Sequence, residues 1–158
     1  MKKIILLCLS IILICSFNVF AAGKITIPYN YNGHANPFIA MGANGIEAFS
    51  IAVSCLGNSS DGTGGTIAFP KKFISPSFQL VEVETVYASG MSTPAVAVTN
   101  ENTTILWSLA AFNATTAKIY GGHVTTGIFP RMTSAWTFTI GSPGISKQAY
   151  VIFSFSRF

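Results

Sequence analysis

Short runs of alternating apolar and polar residues, separated by turn-forming residues, dominate the chain from residue 24 onward. In "SAWTFTIG", Trp136, Phe138 and Ile140 share one parity, and Thr137 and Thr139 share the other. Successive side chains on a strand point to opposite faces, so this spacing gives one apolar and one polar face. "KITIPYNY" alternates in the same way and predicts one strand with Ile25, Ile27, Tyr29 and Tyr31 together. In "FSIAVSC", Phe49, Ile51, Val53 and Cys55 share a face.

Further runs rich in β-branched and aromatic residues are "TIAF", "FQLVEVETVYA", "PAVAVT", "TTILWSLAAF", "TAKIYGG" and "YVIFSFSRF". Turn-formers such as "GNSSDGTGG", "ASGMSTP", "TNENT" and "GSPG" lie between them. The segment "NGHANPFIAMGANG" reads as a long loop. The expected fold is all-β: a single-domain antiparallel β-sandwich, jelly-roll or Ig-like, with a small β-barrel as the alternative.

Two strands carry irregular patterns. In "FQLVEVETVY", Phe78 and Leu80 have one parity and Val81 and Val83 the other. This calls for a bulge near Leu80 or for two partly buried faces. In the C-terminal run, Val151, Phe153 and Phe155 form the stronger apolar face, while Ser154 and Ser156 interrupt the other. That pattern puts Phe153 and Phe155 in a core. It turns the serines towards water or a neighbour, and counts against a lipid-facing strand that closes a barrel.

The first 22 residues have the layout of a secretory signal peptide. "MKK" is basic, "IILLCLSIILICSFNVF" is apolar, and "VFAAG" places Val19 and Ala21 at a small-residue cleavage site. The expected division is 1–22 signal peptide and 23–158 β-sandwich domain. The mature protein would be exported to the medium, the cell surface or the periplasm, and the style of the leader is bacterial. Removing Lys2 and Lys3 with the leader leaves seven cations against five acids, so the basic balance of the whole chain is partly the leader's. With Lys71-Lys72 as the one basic pair, nucleic-acid binding has no support.

Little else in the sequence carries chemistry. Cys55 is the cysteine left after cleavage and reads as a small buried hydrophobe, with an intermolecular disulfide or a reactive thiol as the alternative. Glu82 and Glu84 are two apart on one strand, which sets them roughly 7 Å apart on one side. Such a pair reads as a solvated strand face rather than a glycosidase dyad. His34 and His123 have no second ligand at metal spacing, so no metal site and no cofactor are expected. "GNSSDGTGGT" has no following lysine, and Asp61 alone is a thin calcium ligand set, so the segment reads as a hairpin loop. Asn58, Asn102 and Asn113 fit N-x-[ST], which matters only in a eukaryotic secretory pathway.

Charge is scarce: 9% of residues, against about 25% in ordinary soluble domains. The surface must therefore be Ser, Thr, Asn and Gly, and edge strands have few charges to keep them apart. Three classes fit such an exported chain. One is a non-catalytic structural or adhesive sandwich that self-associates as an oligomer or filament, with "KITIPYNY" available for strand exchange. Another is a glycan- or ligand-binding module, with Tyr29, Tyr31, Phe38 and Trp107 as candidate contact residues. The third is a small outer-membrane barrel or a membrane-acting, toxin-like protein, which the shortness of "TIAF" and "PAVAVT" disfavours. No residue constellation supports an enzyme. The expected partners are further copies of the chain, another surface protein, or a glycan.

Overall fold

The computed structural model describes residues 23–31, 33–43, 45–69, 77–86, 92–110, 118–121, 129–132 and 135–157. The side chains of Tyr31, His34, Lys118 and Ile119 are outside this set. The strands are β1 (Lys24–Thr26), β2 (Asn30–Tyr31), β3 (His34–Ala35), β4 (Phe38–Gly42), β5 (Gly45–Leu56), β6 (Gly65–Ala68), β7 (Phe78–Val86), β8 (Val96–Asn100), β9 (Ile105–Leu109), β10 (Lys118–Gly121), β11 (Trp136–Ile140) and β12 (Gln148–Arg157). No helix occurs among the described residues, so none there is long and apolar enough to cross a membrane.

Strands β5 to β12 form two antiparallel layers, ordered β5-β12-β7-β10 and β6-β11-β8-β9. The chain passes from one layer to the other at almost every connection, and β12 and β11 return to the middle of their sheets. This is the jelly-roll arrangement rather than the Ig-like one, and the sheets are open, not closed into a barrel. On the outer edge of β5, β1 pairs with its C-terminal end and β4 with its N-terminal end, which widens that layer to six strands.

The core fills the space between the layers. The larger sheet contributes Phe49, Ile51, Val53 and Cys55 from β5, Leu80 and Val83 from β7, and Val151, Phe153 and Phe155 from β12. The smaller sheet answers with Val96, Val98, Trp107, Trp136, Phe138 and Ile140. Phe138 stacks on Phe153 across the gap, with ring centroids 4.2 Å apart and planes 13° from parallel. Within the larger sheet Phe49 stacks on Phe155 at 4.7 Å, and Phe69, which follows β6 of the smaller sheet, meets the same ring edge to face at 5.5 Å. Burying each of these rings contributes on the order of 2–3 kcal/mol. The predicted inward face of β12 is therefore observed, and Cys55 is a buried free thiol on the apolar face of β5. Desolvation pushes that thiol's pKa up, partly offset by a backbone hydrogen bond from Gly65.

The irregular strand resolves as a bulge. Phe155 pairs with Leu80 and Ser154 with Glu82, so Val81 is the extra residue on β7. The bulge lets Phe78 and Leu80 before it and Val83 after it all face inward, and it leaves Glu82 and Glu84 on the outer side.

Three expectations are corrected. "KITIPYNY" is not one strand: β1 ends at Thr26, Pro28 has no N–H to continue the ladder, and the chain turns out at Tyr29. The segment expected as a long loop contains β4, whose apolar "FIAMG" pairs with Gly45–Ser50. Residues 57–64 do not close a hairpin but carry the chain from the larger sheet to the smaller. Gly57 and Gly62 allow that crossing: a Cβ on Gly57 would collide with the Gly144 carbonyl oxygen, and Gly62 has φ +75°. Parts of "TTILWSLAAF", the expected signal peptide at 1–22, Lys71-Lys72, Asn113 and His123 lie outside the described residues.

Candidate functional site

The outer face of the larger sheet is an extended surface whose make-up is set by cross-strand register. Directly paired residues of antiparallel strands share a face. Phe38 on β4 pairs with Ser50 on β5, Ser50 with Ser154 on β12, Ser154 with Glu82 on β7, and Glu82 with Gly121 on β10. One row thus crosses five strands, away from the core. At about 4.8 Å per strand it spans roughly 19 Å. The Ser50 and Ser154 hydroxyls are hydrogen-bonded at 3.0 Å in the middle of it.

Neighbouring rows repeat the theme. Ala52, Ile152 and Glu84 form the next, and Thr26, Ser54, Tyr150 and Val86 the one beyond. Gln148 Nε2 donates to Ser54 Oγ at 2.7 Å there. The β5 positions carry only small side chains, Ala48, Ser50, Ala52 and Ser54, and Ala52 and Ser54 are nearly buried although they face outward. Phe38 on β4 stands on one side of this low line, and Tyr150 and Ile152 on β12 stand on the other, beside Ser54 and Ala52.

Asn36 holds the open flank of the face. Between β1 and β4 the edge of β5 would lack a partner at Ala52. The Asn36 side chain takes that place: its Nδ2 donates to Ala52 O at 2.8 Å and to Pro28 O at 2.8 Å, and its Oδ1 accepts from Ala52 N–H at 2.9 Å. Its own N–H donates to Tyr29 O at 2.8 Å. One carboxamide therefore ties Pro28–Tyr29 to β5 and sets the start of β4, two residues before Phe38.

The four candidate contact residues separate. Tyr29 is 83% exposed and Phe38 56% exposed, and both stand on the β5 flank beside Asn36. The side chain of Tyr31 is outside the described set. Trp107 is fully buried on β9, where it packs in the core and its Nε1 donates to Gly121 O at 3.2 Å, bridging the two layers. It has no surface to offer a ligand: Trp107 faces the core with Leu109 packed against it, while Ile105, beyond a register shift, is exposed. Ser50, Ser154, Glu82 and Tyr150 were not singled out as contact residues. The serine-lined side of β12 points to Ser154, and the spacing of Glu82 and Glu84 points to the solvated side of their strand.

Other chemistry is sparse among the described residues, where no group of three or more His, Cys, Asp or Glu side chains is placed to hold a metal. Asp61 Oδ1 accepts from the Thr63 hydroxyl at 2.6 Å and from Thr63 N–H at 2.9 Å, which holds its carboxyl below the usual carboxylate range. The oxygen that a calcium ion would want is thus engaged in an Asx turn.

No protein-family model matches the chain, and no curated protein matches it. Solved structures with a similar course include CBM27-1 of Caldicellulosiruptor saccharolyticus in complex with mannohexaose, at 12% identity and TM-score 0.43, covering 87% of this chain and 83% of that one. Another is the C-terminal family 22 carbohydrate binding module of Clostridium thermocellum Xyn10B, at 10% identity and TM-score 0.40, covering 85% and 81%. A third is the family 11 carbohydrate-binding module of Clostridium thermocellum Lic26A-Cel5E, at 10% identity and TM-score 0.34, covering 87% and 97%. At TM-scores this low, none of these likenesses assigns a ligand to this chain.

Proposed function

We propose that this protein is an exported, non-catalytic β-sandwich that binds glycans on the outer face of its larger sheet. The observation that carries the reading is the pairing of Phe38, more than half exposed, with the Ser50–Ser154 hydroxyl row. A sugar ring has apolar C–H faces and a rim of hydroxyls. An exposed aromatic beside uncharged hydroxyl groups supplies a stacking surface and hydrogen-bond partners for that combination. Tyr29, on the same flank, extends the aromatic side. The direct test is retention of the mature protein, residues 23–158, on a panel of immobilised polysaccharides. Retention competed by the soluble glycan supports the reading, and passage through every matrix refutes it.

Strand β4 favours a second reading, self-association in a structural or adhesive role. Phe38, Ile39 and Met41 are exposed on a strand with no charged residue, and β4 pairs only with β5 among the described strands. Edges of this kind pair with other chains unless charge or cover prevents it. Sedimentation analysis across a concentration series tests it, and a monomer at all concentrations refutes it.

A further inference from the structure

The row that begins at Phe38 carries a carboxylate, Glu82, towards its β10 end, and this restricts which glycan the face accepts. We infer that the ligand is a linear, uncharged oligosaccharide lying across the strands, and that Glu82 is the residue that sets this preference. The inference rests on the glycan-binding reading above and deepens it.

The row offers three kinds of contact in order: the Phe38 ring, the Ser50–Ser154 hydroxyls, and the Glu82 carboxylate. An ionised carboxylate only accepts hydrogen bonds, and sugar hydroxyls are donors that fit it. Such charge-assisted bonds are stronger than neutral ones. Glu84, one row over on the same side, adds a second negative charge beside Ile152. Among the described residues of this face the cations are Lys24, which pairs with Leu56 at the far corner on β1, and Arg131, which pairs with Gln79 in the row beside Glu82. Uronic-acid or sulfated chains lying along the Phe38–Glu82 row would bring negative charge against Glu82 and Glu84, two acids with no cation among that row's described residues and one, Arg131, in the row beside it. Like charges so placed are repulsive and select against such ligands.

Length follows from the same geometry. A row of roughly 19 Å takes about four sugar rings, if each advances about as far as one inter-strand spacing. The described part of the row is bounded by edge strands β4 and β10 rather than by a pocket. It therefore suits an internal stretch of chain rather than a chain end.

The test uses the mature protein, isothermal titration, and neutral linear oligosaccharides of two to six units of the type retained in the panel. Uronic-acid oligomers of the same lengths serve as the acidic arm. Affinity for the neutral series should climb to about four units and then level, and the acidic series should bind at least about tenfold more weakly. Glu82→Gln keeps the size of the side chain and removes its charge. It should weaken neutral binding by about tenfold and narrow the gap to the acidic series. Equal or tighter binding of the acidic series overturns the inference, as does an unchanged profile in Glu82→Gln. So does full affinity for a monosaccharide. Phe38→Ala separates the two levels. If it abolishes neutral binding while Glu82→Gln changes nothing, this inference fails and the glycan-binding site stands. If Phe38→Ala also changes nothing, the site itself is wrong.

Discussion

Replacing Asn36 with alanine tests how the flank of the candidate site is held. The side chain makes three hydrogen bonds, two of them to the backbone N–H and C=O of Ala52, which is only 3% exposed. A buried backbone group left without a partner costs about 1–3 kcal/mol. Two such groups set a range of about 2–6 kcal/mol, and water reaching the gap at the sheet edge brings the expected loss to about 3 kcal/mol. For a domain of this size that lowers Tm by roughly 10 °C. Urea denaturation should show a lower midpoint with an unchanged slope, since the surface exposed on unfolding is the same. Asn36→Asp sharpens the point. It keeps the acceptor for Ala52 N–H but turns an oxygen towards the Ala52 and Pro28 carbonyls. At neutral pH it should be at least as destabilising as alanine, and it should recover part of the loss below about pH 4, where the protonated acid can donate. A loss under about 0.5 kcal/mol in Asn36→Ala would refute the view that this carboxamide completes the sheet edge.

Two further outcomes test the interior. Phe153→Ala removes a ring stacked on Phe138 at the centre of the sandwich and should cost about 3–5 kcal/mol in the same denaturation assay, whereas a near-neutral result would contradict the core assignment. Cys55 should resist a thiol reagent in the native protein and react fully in denaturant, while stoichiometric labelling of the folded state would contradict its burial. Because burial raises its folded pKa, the folded state keeps a proton that the unfolded chain releases near pH 8.5; its contribution is present below that pH and is lost as pH rises above it, a slope that Cys55→Ala should remove.

Most of the sandwich was legible because alternation reports the inward face directly. The parities of β5, β11 and β12 gave Phe49, Ile51, Val53, Trp136, Phe138, Phe153 and Phe155 as core, and all are buried. The parity break in β7 signalled the bulge that the structure places at Val81. What failed to show were features decided by hydrogen bonding over distance. β4 looked like loop because its five residues, Phe38–Gly42, directly after Pro37 give too short a pattern, and its strand form depends on pairing with β5. β1 looked longer than it is because alternation continues through Pro28, which cannot donate to a ladder. Trp107 shares parity with the apolar Ile105 and Leu109, a pattern that fits a core position better than a contact residue; it fills the core and bonds to Gly121 on the opposite layer. The candidate site is the least legible part. Its row joins residues 38, 50, 154 and 82, and only sheet order brings these together. The serine-lined side of β12 was visible, but not what lay on either side of it.

The most direct test of the account is affinity for a neutral linear oligosaccharide, measured side by side for wild-type residues 23–158 and for Phe38→Ala in the same segment. Phe38 is half-exposed on an edge strand, so its removal should leave the melting temperature nearly unchanged. The account predicts saturable wild-type binding that falls by at least about tenfold in Phe38→Ala. Wild-type binding that survives this substitution intact, with the fold preserved, would contradict the placement of the site on the outer face of the larger sheet.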